Sequence, residues 1–203
     1  RVYEIAQQAK RLPEIERFAA DAPVFIAGST WPPDEELLVG LIERYPDVKF
    51  IVAPHEIDPA RIEKFCERIS RPALRYTQLT PQSDLAAAGV LFVDTIGILS
   101  SVYRYGRWGY IGGGFGAGIH NTLEAATFGL PLAFGPRYGK FREARDLVTL
   151  RGAASIASAE ELERWFAGLH DDPDATGRSG TICKEYVLQH KGATARIMDE
   201  ICR

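Results

Sequence analysis

Apolar residues in this chain come in short, dense blocks. Pro23 to Ala27, Val48 to Ala53, Val90 to Val93, Trp108 to Ile111, Leu132 to Phe134 and Ala153 to Ile156 are each too short to be a helix. Their apolar residues run on consecutive positions, as in strands buried on both faces. Leu74-Arg75-Tyr76 is a weaker block of the same kind. Between the blocks, apolar residues recur at helical spacing: Pro33 to Tyr45, Asp58 to Ile69, the stretch after Thr95 to about Tyr105, Phe141 to Leu150, Ala159 to Leu169, and much of 180–201. Pro33 and Pro59 stand where a helix accepts its first-turn proline. Ser83 to Ala88 reads as one further short helix. Strand and helix in alternation predict an α/β fold, a Rossmann-like parallel sheet of about six strands with helices on both faces. Val2 to Ala20 has a helical pattern broken at Pro13 and is too polar for a core element. Residues 1–22 are therefore expected to be a lead-in from a domain upstream, and residues 23–203 the Rossmann-like domain with its C-terminal helices.

The unusual residues follow the strands. Gly28-Ser29-Thr30, Pro54-His55, Asp94-Thr95, Gly112-Gly113-Gly114 and Gly135-Pro136 each sit directly after an apolar block. In open parallel sheets, ligands bind at the carboxyl ends of the strands. These exits should border one crevice. The densest has five glycines in the seven positions 112–118, followed by Asn121, a good N-cap, with Glu124 three residues on. A strand, a glycine loop and a helix start make a common cradle for a phosphorylated ligand.

Composition narrows the ligand little but removes some classes. A net charge of -3 over 203 residues gives no reason to expect nucleic acid. Cys66, Cys183 and Cys202 are odd in number and lack metal-ligand spacing, which suits a reducing compartment. No apolar run reaches the length of a membrane span. The chain opens at Arg1, directly in a helical pattern, so more chain is expected upstream.

Each candidate residue has a structural reading beside the functional one. Glu124 either closes a capping box on Asn121 or accepts hydrogen bonds from a ribose diol. His120 is placed for a phosphate contact, or is an ordinary loop histidine, and the same holds for His55. Ser29 and Thr30 either cap the next helix or bond an anion. Asp94-Thr95 most simply caps the helix after it. Arg137, Lys140, Arg142 and Arg145 read mainly as a solvated face, with one or two free to meet a negative ligand. Trp108, Tyr103, Tyr105 and Tyr110 read as core. Gly112-x-Gly114-x-x-Ala117 fits a loose dinucleotide fingerprint, but it follows a late strand, and the next strand ends in Gly135-Pro136-Arg137 where a ribose-binding acid belongs. No catalytic triad, carboxylate pair or metal site has convincing spacing.

Taken in order, Gly28-Ser29-Thr30, Asp94-Thr95-x-Gly97-x-Leu99, Gly112-Gly113, Gly118-x-His120-Asn121-x-Leu123-Glu124-x-Ala126, Phe128-Gly129-x-Pro131 and Phe134-Gly135-Pro136 followed by Phe141-x-Glu143 resemble the C-terminal half of the bacterial 3-deoxy-D-manno-octulosonic acid (Kdo) transferases. The resemblance covers nearly the whole chain. It implies the C-terminal half of a GT-B glycosyltransferase acting in lipopolysaccharide synthesis, with CMP-Kdo as donor and a lipid A precursor as acceptor. The general base, the acceptor site and the membrane anchor would then belong to an N-terminal domain, and the whole enzyme to the cytoplasmic face of the inner membrane. The fragment alone would bind donor without transferring it, with no catalytic residue of its own.

By the same resemblance Ser29 and Thr30 line the donor crevice, with His55 beside it. Ile96 and Gly97 lie by the cytidine, and Gly113 and Gly114 form the loop. His120 and Asn121 stand near the phosphate, and Glu124 takes the ribose hydroxyls. No cofactor and no metal are implied. Two positions depart from the family pattern: Pro54 stands where a nucleotide-contacting arginine is common, and Ile119 replaces a glycine before His120. Another GT-B half using or epimerising a UDP-sugar, and a nucleotide-binding module without chemistry, are the other readings of the residues.

Overall fold

The computed structural model describes residues 9–20 and 22–190. Residues 1–8 and 21 of the expected lead-in, the part of the expected last helical stretch beyond residue 190, and Cys202 lie outside the described residues. Seven strands form one fully parallel sheet, in the order β3-β4-β2-β1-β5-β6-β7. They are β1 (Val24–Thr30), β2 (Lys49–Pro54), β3 (Ala73–Arg75), β4 (Val90–Phe92), β5 (Trp108–Ile111), β6 (Leu132–Phe134) and β7 (Ala153–Ser155). The weak block at Leu74 is an edge strand, which accounts for its half-buried pattern. The helices are α1 (Pro13–Ala19), α2 (Pro32–Arg44), α3 (Pro59–Cys66), α4 (Leu99–Val102), α5 (Thr122–Thr127), α6 (Arg142–Thr149), α7 (Ala159–His170) and α8 (Pro173–Gln189).

The sheet has a core on each face. Alternate strand residues Ile26, Ile51, Leu91, Ile111 and Phe134 pack with α1, α5, α6 and α8. Their neighbours Phe25, Phe50, Phe92, Trp108 and Tyr110 pack with α2, α3 and α7. This two-sided burial is why the strand blocks are apolar at every position. Helix starts follow expectation where a capping side chain is present: Asp58, Asn121, Ser158 and Asp172 each accept a hydrogen bond from a first-turn amide.

Three expectations need correction. Residues 83–88 form turns, not a helix. The helix before Tyr105 is only α4 continued by a 3-10 turn at Tyr103–Tyr105. And α1, judged too polar for the core, buries Ile15 and Phe18 completely beside β1 residues Val24 and Ile26. It begins at Pro13, so the proline starts this helix and does not break a longer one.

Chain order and sheet order part company at β1. Strand β2 lies on one side of it and β5, reached only after β4, on the other. That is a topological switch point, where helices leave on opposite faces and open a crevice.

Candidate functional site

The crevice edge is built by backbones in close approach. The Gly112 amide donates to the Gly28 carbonyl at 2.9 Å. A Cβ on Gly112 would lie 2.1 Å from the Ser29 carbonyl oxygen, so no other residue fits there. Gly113 has φ +92°, and Ser29 itself is held in the left-handed region at φ 57°. A non-glycine in that region at a strand exit is strained backbone of the kind found at ligand sites.

The loop is clamped by Asp34, in the first turn of α2 and fully buried. Its carboxylate accepts from the Tyr110 hydroxyl at 2.7 Å, from the Gly113 amide at 2.9 Å and from the Trp31 amide at 2.9 Å. The Gly113 N–H is therefore committed within the protein, contrary to the expectation that it faces a ligand. The Gly114 amide has no partner among the described residues, whereas its carbonyl accepts from the Arg137 amide at 2.9 Å. Arg137 also donates through its guanidinium to the Gly116 carbonyl at 2.8 Å, so this basic residue holds the loop backbone.

Thr30 also departs from expectation. It is fully buried, and its hydroxyl donates to Glu35 at 3.0 Å. Glu35 is in turn 3.4 Å from the Arg61 guanidinium. Burial raises the Glu35 pKa, with Arg61 and Thr30 opposing. Thr30 thus neither caps α2 nor offers its hydrogen to the crevice; Ser29 is the partly exposed member of the pair. Asp94 does not cap a helix either. It accepts from Arg75 Nε at 2.9 Å and from the Thr77 amide and hydroxyl at 2.9 and 2.6 Å, tying the β4 exit to the β3 exit. Burial alone would raise its pKa, but the Thr77 and Arg75 hydrogen bonds outweigh it and the net shift is downward. Beyond Asp94, Ile96 is 88% exposed and Gly97 has φ +88°.

Two histidines meet a residue that the sequence did not single out. Trp31 Nε1 donates to His120 Nε2 at 3.1 Å. The His55 ring stacks on both, 4.7 Å from Trp31 and 4.4 Å from His120 between centroids. Burial, then His55, lowers the His120 pKa. A cavity of about 390 Å³ opens beside them, walled by Trp31, Pro33, Asp34, Gly113, His120 and the loop residues 115–118. Of the expected residues, Gly113 and His120 line this cavity; Ser29, Thr30, His55, Ile96, Gly97, Gly114, Asn121 and Glu124 do not.

At the start of α5, Asn121 accepts from the Leu123 amide at 3.0 Å, so the cap is real. Glu124 does not close a box on the backbone. It accepts from the Asn121 side-chain amide at 3.0 Å. Glu124 also acts on the Tyr103 hydroxyl, whose pKa is raised first by burial and then by this carboxylate. That hydroxyl lies under Gly28, 2.0 Å from where a Cβ there would sit, which links Glu124 to the β1 exit. Trp31 and Asp34 were missed for related reasons. An acid in the first turn of a helix reads as a cap or dipole partner, and a tryptophan before Pro-Pro carries no pattern.

No protein-family model matches the chain. It is 25% identical over 182 residues to a 3-deoxy-D-manno-octulosonic acid transferase of Chlamydophila psittaci, covering 88% of this chain and 41% of that protein. It is 29% identical over 184 residues to the enzyme of the same name from Rickettsia bellii, covering 87% and 43%. The chain thus spans less than half the length of these relatives. Its fold matches the C-terminal CMP-Kdo binding domain of WaaA from Acinetobacter baumannii with TM-score 0.74 at 22% identity, over 93% of this chain and 98% of that one. It also matches part of Anabaena HepE, solved with UDP and glucose, with TM-score 0.64 at 14% identity, over 96% of this chain and 55% of that one. Over most of its length the chain is thus similar to the C-terminal part of 3-deoxy-D-manno-octulosonic acid transferases, and it has the fold of the C-terminal domain of one such enzyme.

Proposed function

We propose that this chain is the donor-binding half of a glycosyltransferase that moves Kdo from CMP-Kdo to a lipid A precursor. The observation that carries the reading is likeness to Kdo transferases over nearly the whole chain, on a fold shared with a CMP-Kdo binding domain. The crevice fits it. Breaking the bond from the anomeric carbon to the CMP phosphate leaves negative charge on the phosphate. Donors fixed beforehand by the protein stabilise such charge. Here Ser29 at the β1 exit, the Gly114 amide of the loop and His120 at the cavity wall are the candidate donors, while Glu124 beside the α5 start is the acceptor for a ribose diol. That charge is met by protein donors in this scheme, so no metal or cofactor is invoked.

The acceptor hydroxyl needs a base, and among the described residues the buried acids near the crevice, Asp34, Glu35 and Asp94, are already engaged, Asp94 by Arg75 and Thr77. Asp34 accepts from three donors, and Glu35 is held by Thr30 and Arg61. We therefore place the base, the lipid A precursor site and the membrane attachment in a further domain, with the whole enzyme at the cytoplasmic face of the inner membrane. Among the described residues, no helix is long and apolar enough to cross a membrane.

Calorimetric titration with CMP, UMP and NADH tests the reading. CMP should bind, more tightly than UMP, and added salt should weaken it because part of the attraction is ionic. Tighter UMP binding would favour a UDP-sugar enzyme, and tighter NADH binding would overturn the glycosyltransferase reading. Kdo transfer by the isolated chain would show that a base has been overlooked.

A further inference from the structure

The contact between Trp31 and His120 constrains the protonation of His120. An indole N–H donates and cannot accept. With Trp31 Nε1 at 3.1 Å, His120 Nε2 must carry a lone pair. The ring proton is then on Nδ1. The Nε2 edge also faces the glycine loop, 3.3 Å from the place a Cβ on Gly113 would take. Nδ1 has no partner among the described residues, although the ring is partly buried at the cavity wall. His55 lies flat over both rings and keeps them edge to edge.

We propose that Trp31 is a positioning residue that locks His120 as its neutral Nδ1–H tautomer, so that His120 offers a hydrogen-bond donor, and not a cation, to the anionic part of the bound donor. The identity of the bound group rests on the nucleotide-sugar reading above; the lock itself does not. A doubly protonated ring would turn Nε2 into a donor facing another donor and break the contact. The titratable groups facing the ring are His55 from the β2 exit and Asp34 from α2. A second imidazole stacked at 4.4 Å opposes a proton on His120, and Asp34, which favours one, already accepts from three other donors. A neutral donor holds its hydrogen-bond geometry across the neutral pH range, whereas a freely titrating histidine would not.

The test is a long-range nitrogen–proton NMR correlation of the histidine rings, run beside CMP titration, on the wild-type chain and on Trp31→Phe. Phenylalanine keeps an aromatic face under His55 and removes only the indole donor. In the wild type, the His120 ring should show Nδ1–H throughout the neutral range, with little change of CMP affinity with pH. Trp31→Phe should show mixed tautomers, a three- to tenfold weaker CMP Kd (about the size of one hydrogen bond), and a new pH dependence. A wild-type ring carrying its proton on Nε2 would overturn the lock, even if CMP binds tightly. So would a Trp31→Phe protein with an unchanged tautomer and Kd. An Nδ1–H ring in a wild-type protein that does not bind CMP would uphold the lock and overturn the nucleotide reading instead.

Discussion

At the scale of single residues, Glu124 shows how the structure separates two functions that spacing leaves even. The cap of α5 is Asn121, whose side chain accepts from the Leu123 amide without help. Glu124 takes no part in the cap: its hydrogen bond is with the Asn121 side chain and not with a backbone amide. Glu124→Ala should therefore leave thermal stability nearly unchanged while CMP affinity falls by about 1.5–3 kcal/mol, as for a lost hydrogen bond to a charged group. Equal affinities by calorimetry would return Glu124 to the helix. His170 gives a residue-scale prediction far from the crevice. Its Nε2 is 2.7 Å from Asp47 and its Nδ1 2.9 Å from Asp171, a pairing that needs both ring protons. Burial pulls its pKa down, but the two aspartates overcome this and the net shift is upward. A raised folded-state pKa stabilises below the unfolded value of about 6.5 and stops doing so as pH rises through the folded value. Unfolding stability measured in urea should thus fall across the neutral range, and His170→Gln should flatten that slope. The sequence showed Asn121 and Glu124 because caps are local. It did not show the roles of Asp34, Trp31 or the His170 pairing, because each depends on a partner 76 or more residues away along the chain.

At the scale of elements, the strand blocks were legible because burial on both faces leaves an apolar run, and all seven runs are strands. The glycine loop was legible as a site but only half understood. Gly112 is dictated by the Ser29 carbonyl beside it and not by a ligand. Gly112→Ala should cost about 3 kcal/mol or more, as overpacking against a backbone that cannot yield. It should weaken CMP binding as well, because the β1 and β5 exits would part. A variant with wild-type urea stability would show that the two backbones are not in contact. The illegible elements were those whose stability is tertiary. α1 has only two buried anchors, Ile15 and Phe18, and its polar faces concealed them. Residues 83–88 carry the composition of a short helix, yet a segment this short does not hold a helix from propensity alone. Asp94, read as a cap, is instead a tie between two strand exits, since the helix it was meant to cap starts only at Leu99.

At the scale of the whole molecule, strand order decides where a ligand goes. β1 and β5 are neighbours in the sheet but far apart in sequence, so their exits open the crevice, and the loops after β1, β2, β4, β5 and β6 leave from that edge of the parallel sheet. The opposite edge carries structural contacts: Arg71 donates to the carbonyls of Ile42, Tyr45, Pro46 and Val48 there, and His170 meets Asp47. The account therefore predicts position as well as affinity. Backbone amide NMR spectra recorded during titration with CMP test it most directly. The amides of Ser29, Gly97, Gly113, Gly114, His120 and Glu124 should shift and saturate together, while those of Arg71 and His170 stay still. Shifts confined to the Arg71 and His170 edge, or to α8, would contradict the claim that the switch-point crevice between β1 and β5 is the donor site.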